Sequence, residues 1–147
     1  MPEKPAESEK PASEPLRVLV VDDRRDNVLL LKTLLVRSGH DVFTAVDGQG
    51  GLEAVREHAP DVVISDIGLA GPIDGYGLVQ AVKSDPALVS PHFIAVTGYD
   101  DDEHRQMARD AGFHHYLVKP APIDQLLSVL ADIRATQNER PSSDATR

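Results

Sequence analysis

The chain has 147 residues, with 15 Lys and Arg against 24 Asp and Glu, and a formal net charge of −9. That charge speaks against a nucleic-acid binder, because phosphate contacts need a basic face, and three Phe, three Tyr and no Trp leave little for base stacking. With no cysteine there are no disulfides or thiolate metal sites; with no apolar run near the roughly 18 residues of a membrane span the chain reads as soluble and cytoplasmic, with no membrane partner.

Residues 1–15 are Pro, Glu, Lys, Ser and Ala with almost nothing to bury, and read as a disordered tail ahead of one folded domain over 16–135. Leu16-Arg17-Val18-Leu19-Val20-Val21 is the first strand, closing on Asp22-Asp23. A helix capped by Asp26 or Asn27 follows, with Val28, Leu31, Leu34 and Leu35 at helical spacing. It ends at Ser38-Gly39, with Gly39 in the left-handed position beyond the cap. A short strand over 41–45 leads to a turn at Asp47-Gly48. The next helix is lined by Leu52, Val55 and Ala59, and Pro60 stops it.

Val62-Val63-Ile64 is a run of β-favouring residues, the pattern of a strand buried on both faces in a parallel sheet. Asp66 stands where that strand ends, before a Gly-rich loop over 68–75 whose backbone can approach a ligand closely. The expected helix over 77–83 offers Leu78, Val79 and Val82 to the core. After a connector with two prolines, Phe93-Ile94-Ala95-Val96 is the fourth strand, ending at Thr97-Gly98.

Asp100-Asp101-Asp102-Glu103 opens a helix reaching about Ala111. Acids in the first turn suit the positive end of the helix dipole. Neighbouring positions point around a helix, so these four do not converge on a metal. His114-His115-Tyr116-Leu117-Val118 is the fifth strand, ending at Lys119-Pro120. His114 and His115 face opposite sides of it and cannot chelate one ion. A last helix from Ile123 to about Ala135 buries Leu126, Leu127, Leu130 and Ile133, and 136–147 reads as a disordered polar tail.

Five strands alternating with five helices imply an α/β fold, a doubly wound parallel sheet with right-handed crossovers. All strands then end at one edge, where such folds bind ligands. That edge carries Asp22, Asp23, Asp66, Thr97 and Lys119. Three carboxylates repel one another there unless a cation joins them. A hard divalent ion suits oxygen ligands, and Mg²⁺ suits a site that also meets a phosphate. A hydroxyl and an ammonium are donors for phosphoryl oxygens, and aspartate is a nucleophile for acyl phosphates.

Val18-Leu19-Val20-Val21-Asp22-Asp23, the strand ending in Asp66, Thr97-Gly98-Tyr99 and Tyr116-Leu117-Val118-Lys119-Pro120 together resemble the receiver domain of two-component response regulators. The resemblance spans about 16–133. It implies a flavodoxin-like (βα)5 fold with strand order 2-1-3-4-5, and makes Asp66 the phosphoacceptor. It implies that Asp23, Asp66 and the backbone carbonyl of Gly68 bind Mg²⁺ directly, with Asp22 acting largely through water. Lys119 would pair with the phosphoryl oxygens, Thr97 would close onto them, and Tyr116 is the switch aromatic. The Lys119-Pro120 bond is usually cis in the family. The resemblance also implies a histidine kinase or histidine phosphotransfer protein as donor, and a downstream protein target reached through the face made by the fourth helix, fifth strand and fifth helix.

Some positions depart from the family pattern. Ala70 stands where a proline is common, and one extra residue precedes Asp74-Gly75. Arg24 either leans over the pocket or is solvated. Gly68 and Tyr99 lie two beyond Asp66 and Thr97, at positions that influence hydrolysis in the family. Thr97 could also merely cap a turn, Tyr116 be ordinary packing and Lys119 a solvated charge. An alternative function is a binding module of the same fold that is never phosphorylated. A phosphatase of the haloacid-dehalogenase type would need Asp-x-Asp after the first strand, which Asp22-Asp23-Arg24 does not supply. No Gly-x-Gly-x-x-Gly or Walker loop follows that strand either.

Overall fold

A computed structural model describes residues 15–145, with side chains described as far as residue 137. The expected leading tail lies outside them apart from Pro15. The elements run β1 (Arg17–Val21), α1 (Arg25–Arg37), β2 (Asp41–Ala45), α2 (Gly48–His58), β3 (Val62–Ser65), α3 (Gly75–Lys83), β4 (His92–Thr97), α4 (Asp102–Ala111), β5 (His115–Val118) and α5 (Ile123–Ala145).

All four strand pairs are parallel, and the sheet order is β2-β1-β3-β4-β5. This is the expected doubly wound order, with β1 between β2 and β3 and the chain reversing direction across the sheet beside it. Because strand side chains alternate, each strand feeds two cores. Val18, Val20, Val62, Ile64 and Ile94 meet Leu35 of α1 and Leu126, Leu130 and Ile133 of α5. Leu19, Val21, Val63, Phe93 and Ala95 meet Val55, Leu78, Val79, Val82 and Ala108 of α2, α3 and α4. The sheet is therefore covered on both faces, which is why β1 and β3 read as continuous apolar runs.

Several boundaries differ from expectation for local reasons. The cap of α1 is Arg24, not Asp26 or Asn27, and its side chain makes no capping bond. Asp22 governs the turn instead, its Oδ1 accepting from Arg24 N at 2.9 Å. Within α1 only Val28 and Leu35 are buried; Leu31 and Leu34 are half-buried, and Leu29 and Leu30 are 65% and 60% exposed. Leu31 and Leu34 instead line a cavity of about 340 Å³ shared with Ile123 and Leu126 of α5. Ala59 does not line α2; it takes the left-handed cap position with φ 47°. Gly39 is left-handed as expected, with φ 95°.

The start of α3 matters for the site. It begins at Gly75, two residues earlier than expected, with Asp74 as cap accepting from Gly77 N at 2.9 Å. Gly75 N donates to Ile67 O at 2.8 Å, and a Cβ at Gly75 would fall 2.5 Å from the Asp66 carbonyl oxygen. Only glycine lets the helix start this close to the strand it follows.

The last helix continues to Ala145 rather than stopping near Ala135. Its buried face ends at Ile133, but propagating a helix needs one backbone bond per residue, not a buried face. The expected disordered tail over 136–147 is thus helical as far as Ala145.

Candidate functional site

Parallel pairing brings the strand ends together. Asp22 follows β1, Asp66 follows β3, Thr97 closes β4 and Lys119 follows β5. The register places Val21 beside Ser65, Ser65 beside Ala95 and Thr97 beside Val118. The charged residues are therefore delivered to one edge by backbone hydrogen bonding, before any side chain contributes.

Lys119 organises the hollow. Its Nζ lies 2.8 Å from Asp66 Oδ2 and 3.0 Å from Asp22 Oδ2. Burial pulls the ammonium pKa down, but the bonds to Asp66 and Asp22 outweigh it, and the net shift is upward. Lys119 is thus held firmly charged. Its own backbone N donates to Thr97 O at 2.8 Å, which ties the amine's strand end to that of β4. The Lys119–Pro120 peptide is cis.

Asp22 is 7% exposed and Asp66 sits beside it; both aim their outer oxygens at Lys119. The inner oxygen of Asp66 accepts from Gly68 N at 3.3 Å. Asp23 is not on Lys119. Its Oδ2 accepts from Ala70 N at 3.1 Å, clamping the loop that leaves Asp66. Ala70 therefore contributes its N–H where a proline would have none.

Thr97 is 1% exposed, and its hydroxyl accepts from Tyr99 N at 3.4 Å. The Tyr116 hydroxyl donates to the Tyr99 carbonyl at 2.8 Å, and Arg105 lies over the Tyr116 ring at 4.8 Å. Both residues therefore converge on the segment after β4 rather than on the carboxylates. Arg24 is exposed, and its contribution is the backbone N–H given to Asp22.

Three carboxylates and one ammonium gather at this edge, leaving an excess of two negative charges. The donors are all oxygen, which fits a hard divalent cation and not a thiophilic one. Among the described residues no group of three His, Asp or Glu side chains converges on one point. Lys119 occupies Asp22 and Asp66, and Ala70 N occupies Asp23, so the carboxylates are near one another but turned to these partners.

The histidines have other work. His40 is 6% exposed and its Nδ1 accepts from Leu16 N at 3.2 Å, while His114 Nδ1 accepts from Phe93 N at 2.9 Å. Both lie at the opposite edge of the sheet from Asp66. The acidic run before α4 caps it: Asp101 accepts from His104 N at 3.0 Å. The contact of Asp101 with the His104 ring was not expected from sequence, although the spacing of three on a helix could have signalled it.

A doubly wound sheet with an acid–lysine hollow at the carboxyl ends of its strands defines the class of fold and site. A family model, the response regulator receiver domain, matches residues 18–131. The chain belongs to the response regulator receiver domain family. It is similar to the probable chemotaxis protein CheY of Rhizobium etli, 32% identical over 119 residues, which are 80% of this chain and 92% of that protein. It is 36% identical to the transcriptional regulatory protein KdpE of Mycobacterium tuberculosis over 115 residues, covering 77% of this chain and 48% of that protein. The virulence sensor protein BvgS of Bordetella pertussis is 36% identical over 139 residues, 88% of this chain and only 11% of the sensor. Among solved structures, a putative response regulator from Chloroflexus aurantiacus superposes with TM-score 0.76 at 30% identity, covering 83% of this chain and 99% of that one. CheY4 of Vibrio cholerae gives 0.74 at 28% identity, covering 81% and 98%. The same fold thus occurs in relatives that it nearly fills and in others of which it is one part. Among the described residues no helix is long and apolar enough to cross a membrane.

Proposed function

We propose that Asp66 accepts a phosphoryl group from a histidine kinase or a histidine phosphotransfer protein, and that the resulting acyl phosphate switches a protein-binding face. The observation that carries this is the Lys119 ammonium at 2.8 Å from Asp66 Oδ2, in a hollow lined by acids and backbone donors. One carboxylate oxygen of Asp66 attacks phosphorus while the donor's bond to phosphorus breaks. Lys119, already charged and in place, then pairs with phosphoryl oxygens instead of Asp66, so little reorganisation accompanies the reaction. The Thr97 hydroxyl can exchange Tyr99 N for a phosphoryl oxygen. Because Tyr116 is bonded to the Tyr99 carbonyl, that exchange reaches β5 and the face formed with α4 and α5.

Asp22, Asp23 and Asp66, with the carbonyl of Gly68, would hold Mg²⁺. When bound, the ion neutralises charge on the transferring phosphoryl group. Asp23 Oδ2 also accepts from Ala70 N, so an ion on this carboxylate would bear on the loop after Asp66. The role belongs in the cytoplasm, beside the donor kinase, and the receiver itself is a phosphoacceptor rather than an enzyme with a released substrate.

Incubation with acetyl phosphate and Mg²⁺, followed by intact-mass measurement, tests the assignment. Phosphate should appear on the wild type, disappear with Asp66→Asn, and fail to form in excess EDTA. No phosphate on the wild type, or equal phosphate on Asp66→Asn, would leave the non-phosphorylated binding module as the better reading.

A further inference from the structure

The two faces of the sheet are covered unequally. Leu19, Val21, Val63 and Phe93 lie under three helices, α2, α3 and α4, whereas Val20, Ile64 and Ile94 lie under α1 and α5 alone. Two helices across five strands leave a gap, and the cavity of about 340 Å³ occupies it. Val20 and Ile64 form its floor, Leu31 and Leu34 one wall, and Ile123 and Leu126 the other. Side chains that face a void forgo dispersion contacts on that side, unlike those in a close-packed interior. An apolar molecule of the right size returns those contacts; water, which finds no partners on such walls, does not.

The end of the cavity next to the hollow is polar, and Asp22 and Lys119 stand there. Both are already engaged. Lys119 Nζ lies 3.0 Å from Asp22 Oδ2, and Asp22 Oδ1 accepts from Arg24 N at 2.9 Å. Asp23 and Asp66 do not line the cavity, so its wall carries one anion paired with one cation and no charge left over. Asn27, in the first turn of α1, is different. Its backbone N donates to Arg24 O at 3.0 Å, but its half-buried side-chain amide makes no hydrogen bond among the described residues. It therefore offers the cavity a free donor and a free acceptor.

We propose that this cavity is a binding site for a small uncharged molecule, an aromatic or branched aliphatic body bearing one hydroxyl or N–H group that pairs with Asn27. The volume lies at the lower end of the range of about 300–1,000 Å³ typical of small-molecule sites. A charged ligand is disfavoured in either sign, because the lining is already neutral and would leave the added charge buried without a counter-ion. An ammonium reaches Asp22, and a carboxylate reaches Lys119, only by breaking the pair between them. A neutral polar group leaves that pair intact and gives the Asn27 amide the partner it lacks. Nothing in this recognition requires phosphate on Asp66.

The test is a titration of the full chain, with its Leu, Val and Ile methyl groups isotope-labelled for NMR. The probes are benzyl alcohol, benzylamine and benzoate, which share a ring and differ in charge. Benzyl alcohol should shift the methyls of Leu31, Leu34, Ile123 and Leu126 along saturable curves. Those of Val63 and Leu78, in the opposite core, should stay in place. Both charged probes should bind at least about tenfold more weakly. Asn27→Ala should weaken benzyl alcohol about three- to tenfold, the worth of one hydrogen bond, and leave toluene unchanged. Leu34→Phe, which fills the space, should abolish binding of both; if it does not fold, Ile123→Phe fills the same space from α5. No saturable shift at the wall methyls overturns the site. Equal binding of benzylamine or benzoate overturns the uncharged class, and an unchanged affinity in Asn27→Ala overturns the polar contact. If the wall methyls shift with protein concentration alone and sedimentation shows a dimer, a second copy of the chain covers the cavity and the proposal falls.

Discussion

Lys119 and Asp66 stand 53 residues apart in the chain, yet Nζ and Oδ2 meet at 2.8 Å. The same ammonium is 3.0 Å from Asp22, 97 residues away. One amine therefore balances carboxylates brought from the ends of β1 and β3, and its removal leaves two acids facing each other with no cation between.

Lys119→Met is expected to lower stability at neutral pH by about 1–3 kcal/mol, measured by urea unfolding, because the partly buried acids lose their partner. The folded pKa of Lys119 lies above its ordinary 10.5. Its contribution is therefore fully present below pH 10.5 and lost as pH rises through the folded value. The gap between wild type and variant should stay constant up to that pH and shrink above it. Phosphate uptake from acetyl phosphate should fall about 100-fold.

At the opposite edge of the sheet, acid should loosen the fold. Burial lowers the pKa of His40, aided by Arg134 and opposed by Asp41. Burial also lowers that of His114, aided by Lys83, His92 and His115. Both rings serve as acceptors, so charging them breaks a backbone bond. Their folded pKa values lie below 6.5, so the stabilisation is present above pH 6.5 and lost as pH falls through the folded values. Unfolding midpoints between pH 5.5 and about 7.5 should decline toward acid in the wild type. The double variant His40→Asn/His114→Asn, which keeps an acceptor near each Nδ1, should give a flatter profile.

Gly75→Ala should disturb the site from behind. Its Cβ would stand 2.5 Å from the Asp66 carbonyl oxygen and 2.7 Å from Ile67 Cα. Backbone must shift, at a cost of about 1–3 kcal/mol by analogy with overpacked cores. Because the displaced atoms belong to Asp66, phosphate uptake should fall as well. Gly71→Ala, with nothing within 4 Å but a φ of 94°, should cost stability through strain without reaching Asp66.

Tyr116→Phe removes the hydroxyl that donates to the Tyr99 carbonyl at 2.8 Å. The expected loss is about 0.5–1.5 kcal/mol in urea unfolding, the usual net worth of such a bond. Protection of the amides of Gly98 and Tyr99 against hydrogen exchange should fall more than that of Val63 or Ile94 in the core.

The middle of the sheet was legible in the sequence because β1, β3 and β4 are largely buried on both faces and each runs into a polar residue at its end. Val62-Val63-Ile64 before Asp66, and Val18-Leu19-Val20-Val21 before Asp22, mark strand and edge at once. What could not be read was how each acid spends its oxygens. Asp22 and Asp23 are adjacent and chemically identical, yet one meets Lys119 and Arg24 N while the other meets Ala70 N. That division depends on loop paths set by tertiary contacts. The start of α1 was misplaced for a related reason: Asp22, four residues before the expected cap, already controls the turn. Leu31 and Leu34 have the spacing of a buried face, but α5 stands off far enough to leave a cavity between them. The stack of His104 on Tyr99, with ring centroids 3.9 Å apart, was hidden because aromatic contacts across a loop leave no periodic trace.

The strand that pairs with both β2 and β3 is the first of the sheet to be synthesised, and the strand that carries the amine is the last. As the chain leaves the ribosome, β1 waits for β2 and then β3, and no pairing is between hairpin neighbours. Asp22 and Asp66 are assembled side by side as soon as those three strands join, well before Lys119 has been translated. Until then the nascent chain carries an uncompensated pair of negative charges at the edge of a half-built sheet. Counter-ions in the surrounding solution should therefore matter more to its early folding than to the finished protein.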